Sequence, residues 1–565
     1  MRSVEEIEAE LIGPGGAFEI VEEEVLGERI KVFKGRNRSL REILENSINH
    51  GDSEYIVCAD RRISYRQHLA QVSAVAHNLH NRYGIGKGDR VAILADNHPE
   101  WIVTFWATVS IGAICVGLNG WWSRDEILYG LDDADPQLLV GDRKRLARIQ
   151  GVDLAYPVVT MEDDFSLLLD DPAEPDSESA KEAALPECVI EEDDPALILY
   201  TSGTTGRPKG ALLSHRGLIT FVSSSIFSGL RMLLLAEQSG KSRSAGGYPS
   251  CGMFSAPLFH LSGLFTGAVT SLAVGMKTVW TPGRFDPEKV LGLIEKERVT
   301  TWASLGSMAS RVLESPHFDQ YDVSSVTHLG SGGAPTSRAL QQKMTSGFRG
   351  TGGSMALGYG LTESTGVGTH NWGALLDAHP NSVGRVFPGI EIRVCAQGEQ
   401  SLPEGQEGEI CIRGSGVMLG YWRNPEATAR VIGPGRWLRT GDIGYFNGDF
   451  LYINSRARDI ILRNAENIYP VEIEHCLEAH PAVKEAAVIG VEHPELGQEV
   501  KAIIVAADGA APDADKLRAF CREHLSAFKV PSQWDIRSEP LPRNAAGKVL
   551  KNVLSGEVET RLIEE

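Results

Sequence analysis

The chain is 565 residues long, more than one hydrophobic core usually organises, so two or more domains are expected. Hydrophobic residues make up 42% and charged residues 23%, a composition that excludes a largely disordered chain. Lys and Arg total 55 against 75 for Asp and Glu, a net charge of −20, which argues against a nucleic-acid partner but leaves room for a local cation to hold an anionic ligand.

The first residues, MRSVEEIEAELIGPGG, are acidic and interrupted by Gly and Pro, unlike a signal or transit peptide. From Ser64 the apolar positions Leu69, Val72, Ala76, Leu79 and Tyr83 follow helical spacing, and Val91–Ala95 is a continuous apolar run that suits a buried strand. A helix over Trp101–Ser110, a strand near Cys115, a helix over Asp125–Leu131 and a strand at Leu138–Val140 follow. This alternation predicts βαβ units and an α/β fold built on a mainly parallel sheet. Ile102–Trp122 carries no charge and has the length of a membrane span, but Gly112, Gly117, Asn119 and Gly120 break it. It reads as a buried helix, a turn and a short strand, so no transmembrane segment is expected. The eight cysteines are scattered without a C-x-x-C pair, which suits reduced thiols and a cytoplasmic location.

The acidic stretch Leu169–Asp194 lacks a sustained period and reads as an exposed connector. Next, Ala196–Tyr200 has the composition of a buried strand and runs into TSGTTGRPKG at 201–210. Near Arg456 the texture changes again. Beyond it, helices at Val471–Ala479 and Asp515–Leu525 and strands at Ala486–Ile489 and Val500–Val505 suffice for a small α+β domain. His475, Cys476, Glu478 and His480 do not suggest a metal site, because the two histidines are five apart on a helix and face different sides.

The stretch TSGTTGRPKG has what a phosphate-holding loop needs. Gly203, Gly206 and Gly210 give clearance, Thr201, Ser202, Thr204 and Thr205 give donors, and Lys209 gives charge. Its spacing is not G-x-x-x-x-G-K-[ST]. Pro208 removes an N–H and disfavours helix at Arg207, so a helix starting at the lysine is not expected.

With PLFHLSG (257–263), SGGAP (331–335), YGLTE (359–363), GEICIRG (408–414), GYW (420–422), TGD (440–442), Arg456 with Asp459, and LPRNAAGK (541–548) in order, the chain resembles the adenylate-forming superfamily of acyl-CoA synthetases, luciferases and adenylation domains. The resemblance runs from about Ile63 to Lys551, nearly the whole chain. It implies a large N-terminal domain, residues 1–454, of α/β subdomains with mainly parallel sheets plus a β-rich subdomain. A hinge at 455–460 and a small mobile α+β domain at 461–565 would follow.

The resemblance also implies roles. Thr201–Gly206 and Lys209 would hold the β- and γ-phosphates of ATP, Thr362 would contact the α-phosphate, and Glu363 would ligate Mg²⁺. Tyr359 and the turn Gly332-Gly333-Ala334 would sandwich adenine, with Gly358, Gly360 and Leu361 beside them. Asp442 and Arg456 would bind the ribose hydroxyls. Lys548 would be the catalytic lysine bridging the substrate carboxylate and the α-phosphate, and Arg458 would sit at the hinge. His260 reads either as a satisfied core histidine or, by resemblance, as a lid or wall at the acyl carboxylate.

Asn464-Ala465 stand where CoA-using members commonly have glycine, which leaves the acceptor open between free CoA and a carrier-protein pantetheine. Gly306-Ser307 likewise departs from the usual pair beside the acyl pocket. Phe259-His260 offers no aspartate for a substrate ammonium, so an acid without an α-amine is favoured. The leading expectation is a ligase using ATP, Mg²⁺ and CoA on a medium- or long-chain acid, with aryl acids behind. A catalytically silent relative and a luciferase-like oxidase are the other readings. Oligomeric state stays open, a homodimer included.

Overall fold

The computed structural model describes residues 2–170, 184–201, 207–238, 249–304, 306–332, 336, 338–352, 355–396, 400–456, 459–463, 466–493, 497–544 and 547–556. The first large sheet has seven strands in the order Gly420–Tyr421, Lys209–Ser214, Pro195–Thr201, Ile114–Gly117, Arg90–Leu94, Leu138–Gly141 and Val158–Thr160. It is parallel from Pro195–Thr201 to Val158–Thr160 and antiparallel at the other edge. Strands such as Arg90–Leu94 are apolar on both faces because both faces are covered: Val91, Ala92, Ile93 and Leu94 are fully buried.

The second sheet has nine strands. Its parallel run is Ala356–Tyr359, His328–Gly332, Thr301–Ser304, Cys251–Phe254, Lys277–Trp280 and Glu54–Cys58, with antiparallel strands at both edges. The charge-free segment resolves as expected into a core helix, Pro99–Ser110, a turn, and the strand Ile114–Gly117. Proline opens the helix, and Trp101, Phe105 and Trp106 are fully buried, which is why it is apolar all round.

Sequence reading missed the 24-residue helix His215–Gln238. It is long and apolar enough to cross a membrane by composition, but here it packs against protein. Phe227 is buried, Arg231 stacks 3.3 Å from the ring of Trp372 and pairs with Glu8, and the Thr220 and Ser415 hydroxyls bond at 2.9 Å. Glu8 belongs to the N-terminal helix Val4–Ile12, which Ser3 and Glu6 close with a reciprocal capping box.

A four-stranded antiparallel sheet, Glu391–Cys395, Gly408–Arg413, Leu438–Asn447 and Phe450–Arg456, forms the β-rich part. The C-terminal part has a separate five-stranded sheet and the helices Pro470–Glu478 and Ala514–His524, sharing a core of Ile461, Ile473, Leu477, Val488, Ile504 and Leu517. One expectation holds only in part. Residues 171–183 lie outside the described residues; the end of the acidic stretch is exposed at Glu187, Val189 and Glu191 but anchored elsewhere. Leu185 is buried, and Glu192 is gripped by Arg36, Arg38 and Arg216, because guanidiniums drawn from separate segments need a carboxylate where they converge.

Candidate active site

Thr201 ends one strand and Lys209 begins the next, and the two sit opposite each other in an antiparallel pair. The loop between them therefore joins strand to strand rather than strand to helix, in keeping with Pro208 in front of the lysine. Ser202, Gly203, Thr204, Thr205 and Gly206 lie outside the described residues. The Lys209 ammonium lies 5.3 Å from the centre of the Tyr421 ring.

A second group gathers at the C-terminal ends of the parallel strands of the nine-stranded sheet, the position where open α/β sheets bind ligands. Phe254 pairs with Ala303, Ser304 with Ser331, and Gly332 with Gly358. Four stretches widely spaced in sequence thus meet at one end of the sheet. Gly333 and Ala334 lie outside the described residues.

Tyr359 donates its phenolic hydrogen to Asp442 Oδ2 at 2.7 Å. Asp442 is buried, its N–H donates to Thr440 Oγ1 at 3.1 Å, and it faces Arg456 in the strand pairing. The residues expected at the two ends of a nucleoside are therefore in contact. After Tyr359 the chain turns sharply. A Cβ on Gly360 would stand 2.3 Å from the Gly366 carbonyl oxygen, so glycine is required by packing. Leu361 precedes the turn Thr362–Ser364, and Thr365 follows in left-handed geometry at φ 50°. That is an outlier for a β-branched residue, held by the Thr365 hydroxyl donating to Gly416 O at 2.6 Å.

This turn presents Glu363. Its Oε1 accepts from the Tyr421 hydroxyl at 2.9 Å and the Thr201 hydroxyl at 3.2 Å, while its carbonyl accepts from Met418 N–H at 2.9 Å. Oε2 receives no hydrogen bond from the described residues. A carboxylate oxygen left open beside hydroxyls is hard oxygen chemistry that fits Mg²⁺. Burial, and then the charge and hydrogen bond of Glu363, push the Tyr421 phenol well above its usual range, so it stays a donor. Sequence reading singled out GYW as a motif but gave Tyr421 no role. The signal that assigns it is spatial: Tyr421, on the edge strand, pairs with Ala211 on the strand that begins at Lys209.

His260 leads into the π-helical segment Ser262–Thr270, a geometry common at functional sites. Gly263 is needed there, since a Cβ would stand 2.2 Å from Pro257 O. The His260 ring packs on Phe259 and makes no side-chain hydrogen bond with the described residues. Burial pushes its pKa down to about 4, so the imidazole is neutral at physiological pH. Leu261 and Phe221 close on Gly366, and Phe221 meets Phe265 edge-on at 5.5 Å.

Lys548 sits on a tight turn. Its N–H donates to Asn544 Oδ1 at 2.9 Å, its carbonyl accepts from Asn544 N–H at 2.9 Å, and Arg543 donates to Gly547 O at 2.8 Å. The small domain touches the large one through Lys484 and Glu314, 2.7 Å apart. Arg458, Asn464 and Ala465 lie outside the described residues, as does the side chain of Arg456.

Hydrogen-bonded groups gathered from separate sheets, followed by a small lysine-bearing C-terminal domain, are the marks of an adenylate-forming enzyme. The chain belongs to the AMP-binding enzyme family: the family model described as AMP-binding enzyme matches residues 44–422, and that of the AMP-binding enzyme C-terminal domain matches 472–548. It is an AMP-forming acid–thiol ligase. It is 32% identical over 506 residues to the feruloyl-CoA synthase of Amycolatopsis sp, covering 88% of this chain and 94% of that protein. It is 30% identical over 564 residues to the long-chain-fatty-acid–CoA ligase of Bacillus subtilis (strain 168), covering 94% and 95%. Among solved structures, ATP-bound MatB from Rhodopseudomonas palustris superposes with a TM-score of 0.78 at 29% identity, covering 92% of this chain and 98% of that one.

Proposed function

We propose that this ligase activates a hydrophobic carboxylic acid, a medium- or long-chain fatty acid first and an aryl acid second, and passes the acyl group to CoA. In the first step a carboxylate oxygen attacks the α-phosphorus of ATP and pyrophosphate leaves, giving acyl-AMP. In the second the CoA thiol gives up its proton, its sulfur bonds to the acyl carbon, and AMP leaves. The observation that carries this reading is the pair of contacts Tyr359–Asp442 and Tyr421–Glu363–Thr201, which join groups from three sheets.

Both steps bring anions together, so positioning and charge neutralisation do most of the work. In this assignment the 201–209 loop, with Lys209, receives the β- and γ-phosphates, and Thr362 bonds the α-phosphate. Mg²⁺ on Glu363 would offset phosphate charge. Tyr359 stacks on adenine against Gly332, Gly358 and the adjoining Gly333-Ala334, with Gly360 and Leu361 shaping the turn. Asp442 and Arg456 hold the ribose. Lys548 bridges carboxylate and α-phosphate. Neutral His260 walls the carboxylate side and, being uncharged, does not compete with Lys548 for it. Rotation about Arg458, in the 455–460 hinge between domains 1–454 and 461–565, would exchange the lysine for the pantetheine path past Asn464-Ala465.

Phe221 and Leu261, only partly buried, supply apolar surface beside Gly366, which supports a hydrophobic acid over a charged one. The similar proteins named for feruloyl and long-chain fatty acyl substrates support the same class. The test is a panel of fatty acids of increasing length and aryl acids, scored for AMP, pyrophosphate and loss of free thiol, with and without CoA. The expected outcome is AMP release matched by thiol loss for hydrophobic acids. AMP release without thiol loss would move the acceptor to a carrier-protein pantetheine, and no acid-dependent pyrophosphate would overturn the reading.

A further inference from the structure

Tyr421 touches two groups of opposite charge. Its hydroxyl donates to Glu363 Oε1 at 2.9 Å, and its ring lies 5.3 Å from the Lys209 ammonium. Its backbone is locked by pairing with Ala211, two residues beyond Lys209, while the next residue, Trp422, donates its N–H to Gly210 O at 2.7 Å. Tyr421 comes from the chain leaving the β-rich part, 58 residues from Glu363, and crosses to the edge of the seven-stranded sheet. A residue needed only to fill that edge has no reason to aim its hydroxyl at a carboxylate. Among the described residues, both hydroxyls that reach Glu363 converge on the same oxygen, Oε1, and Oε2 accepts no hydrogen bond.

We propose that Tyr421 is a positioning residue: its hydroxyl orients Glu363 to present Oε2 to Mg²⁺, and its ring steadies Lys209 at the phosphates. This rests on the assignment of Glu363 as the Mg²⁺ ligand. Hydrogen bonds that orient a ligating carboxylate set metal affinity, and their removal typically costs roughly 10- to 100-fold. A cation over an aromatic ring contributes less, about 2- to 5-fold at a part-exposed site. The two functions of Tyr421 are therefore separable by substitution, since Phe keeps the ring and Leu keeps neither.

The experiment is calorimetric titration of ATP into the full-length protein without acid, with and without saturating Mg²⁺, plus the Mg²⁺ concentration giving half the maximal effect. Tyr421→Phe is expected to raise that concentration about 10-fold or more while leaving Mg²⁺-free ATP affinity unchanged. Tyr421→Leu is expected to weaken Mg²⁺-free ATP binding as well, about 2- to 5-fold. Glu363→Gln is the control. If Glu363→Gln loses the Mg²⁺ effect and Tyr421→Phe keeps it, the Tyr421 inference is wrong and the Glu363 assignment stands. If Glu363→Gln keeps the effect, the assignment itself is wrong. A Phe variant that cannot be recovered folded also overturns the inference, because the hydroxyl would then be a structural requirement.

Discussion

The nucleotide side and the lysine side of the site are held in different ways. On the nucleotide side, Thr201, Glu363, Tyr421, Tyr359 and Asp442 are tied across three sheets by hydrogen bonds of 2.7–3.2 Å between residues far apart in sequence. On the lysine side, the bonds that shape the turn run among Arg543, Asn544, Gly547 and Lys548, with Arg543 reaching Glu485 of the same domain at 2.6 Å. The groups assigned to ATP are thus tied to one another across sheets, whereas the bonds that shape the Lys548 turn lie within the C-terminal part. Nucleotide binding and acyl activation should respond to different substitutions.

The largest effect should come from the lysine side. A unit charge at about 4 Å in an effective dielectric near 20 is worth roughly 4 kcal/mol. Lys548→Ala should therefore slow adenylate formation about a thousandfold in single-turnover pyrophosphate release while leaving ATP affinity almost unchanged. A loss below about tenfold would break the comparison. Tyr359→Phe should do the reverse. It removes a bond to a buried carboxylate, worth about 1.5–3 kcal/mol, so ATP binding should weaken roughly 10-fold or more by calorimetry, with a smaller change in rate at saturating ATP.

The large domain should also be the acid-sensitive one. Burial lowers His68 and His370 to about 3 and His215 and His260 to about 4, from an ordinary 6.5. Above pH 6.5 these rings are neutral both folded and unfolded. As the pH falls from 6.5 to about 4, the unfolded chain takes up protons that the folded one refuses, so stability drops there and levels off below about 3. Calorimetric melting should fall by several degrees between pH 7 and 5, and replacing His68 with Gln should flatten the slope.

The smallest effect belongs to the contact between domains. Lys484 and Glu314 are 27% and 31% exposed, so their pairing is worth about 1 kcal/mol at most. Lys484→Glu should shift the ratio of adenylate-forming to thioester-forming rates by about fivefold or less, and adding Glu314→Lys should restore it.

The comparison also explains what was legible in the sequence. Elements set by local pattern were readable: the apolar-all-round helix Pro99–Ser110, the buried strand Arg90–Leu94, and the non-helical start at Lys209 behind Pro208. So were glycine-rich turns whose residues serve one local purpose. The long helix His215–Gln238 escaped because it mixes small, apolar and hydroxyl residues without a clean polar face, being covered on more than one side. The antiparallel edges escaped because strand direction depends on connections, and the serine-led capping box at Ser3 was overlooked behind the acidic composition. Tyr421 and the Tyr359–Asp442 bond escaped for a deeper reason. Their partners lie 58 and 83 residues away, and no local period records such a distance.

The central claim is that bond-making takes place at the α-phosphorus, through an acyl-adenylate. It is tested most directly by supplying an acid labelled with ¹⁸O at both carboxyl oxygens, with ATP and CoA, and reading the products by mass spectrometry. Attack on the α-phosphorus followed by thiol attack on the acyl carbon leaves one labelled oxygen in the released AMP. AMP without label, or label appearing in inorganic phosphate alongside ADP, would contradict it.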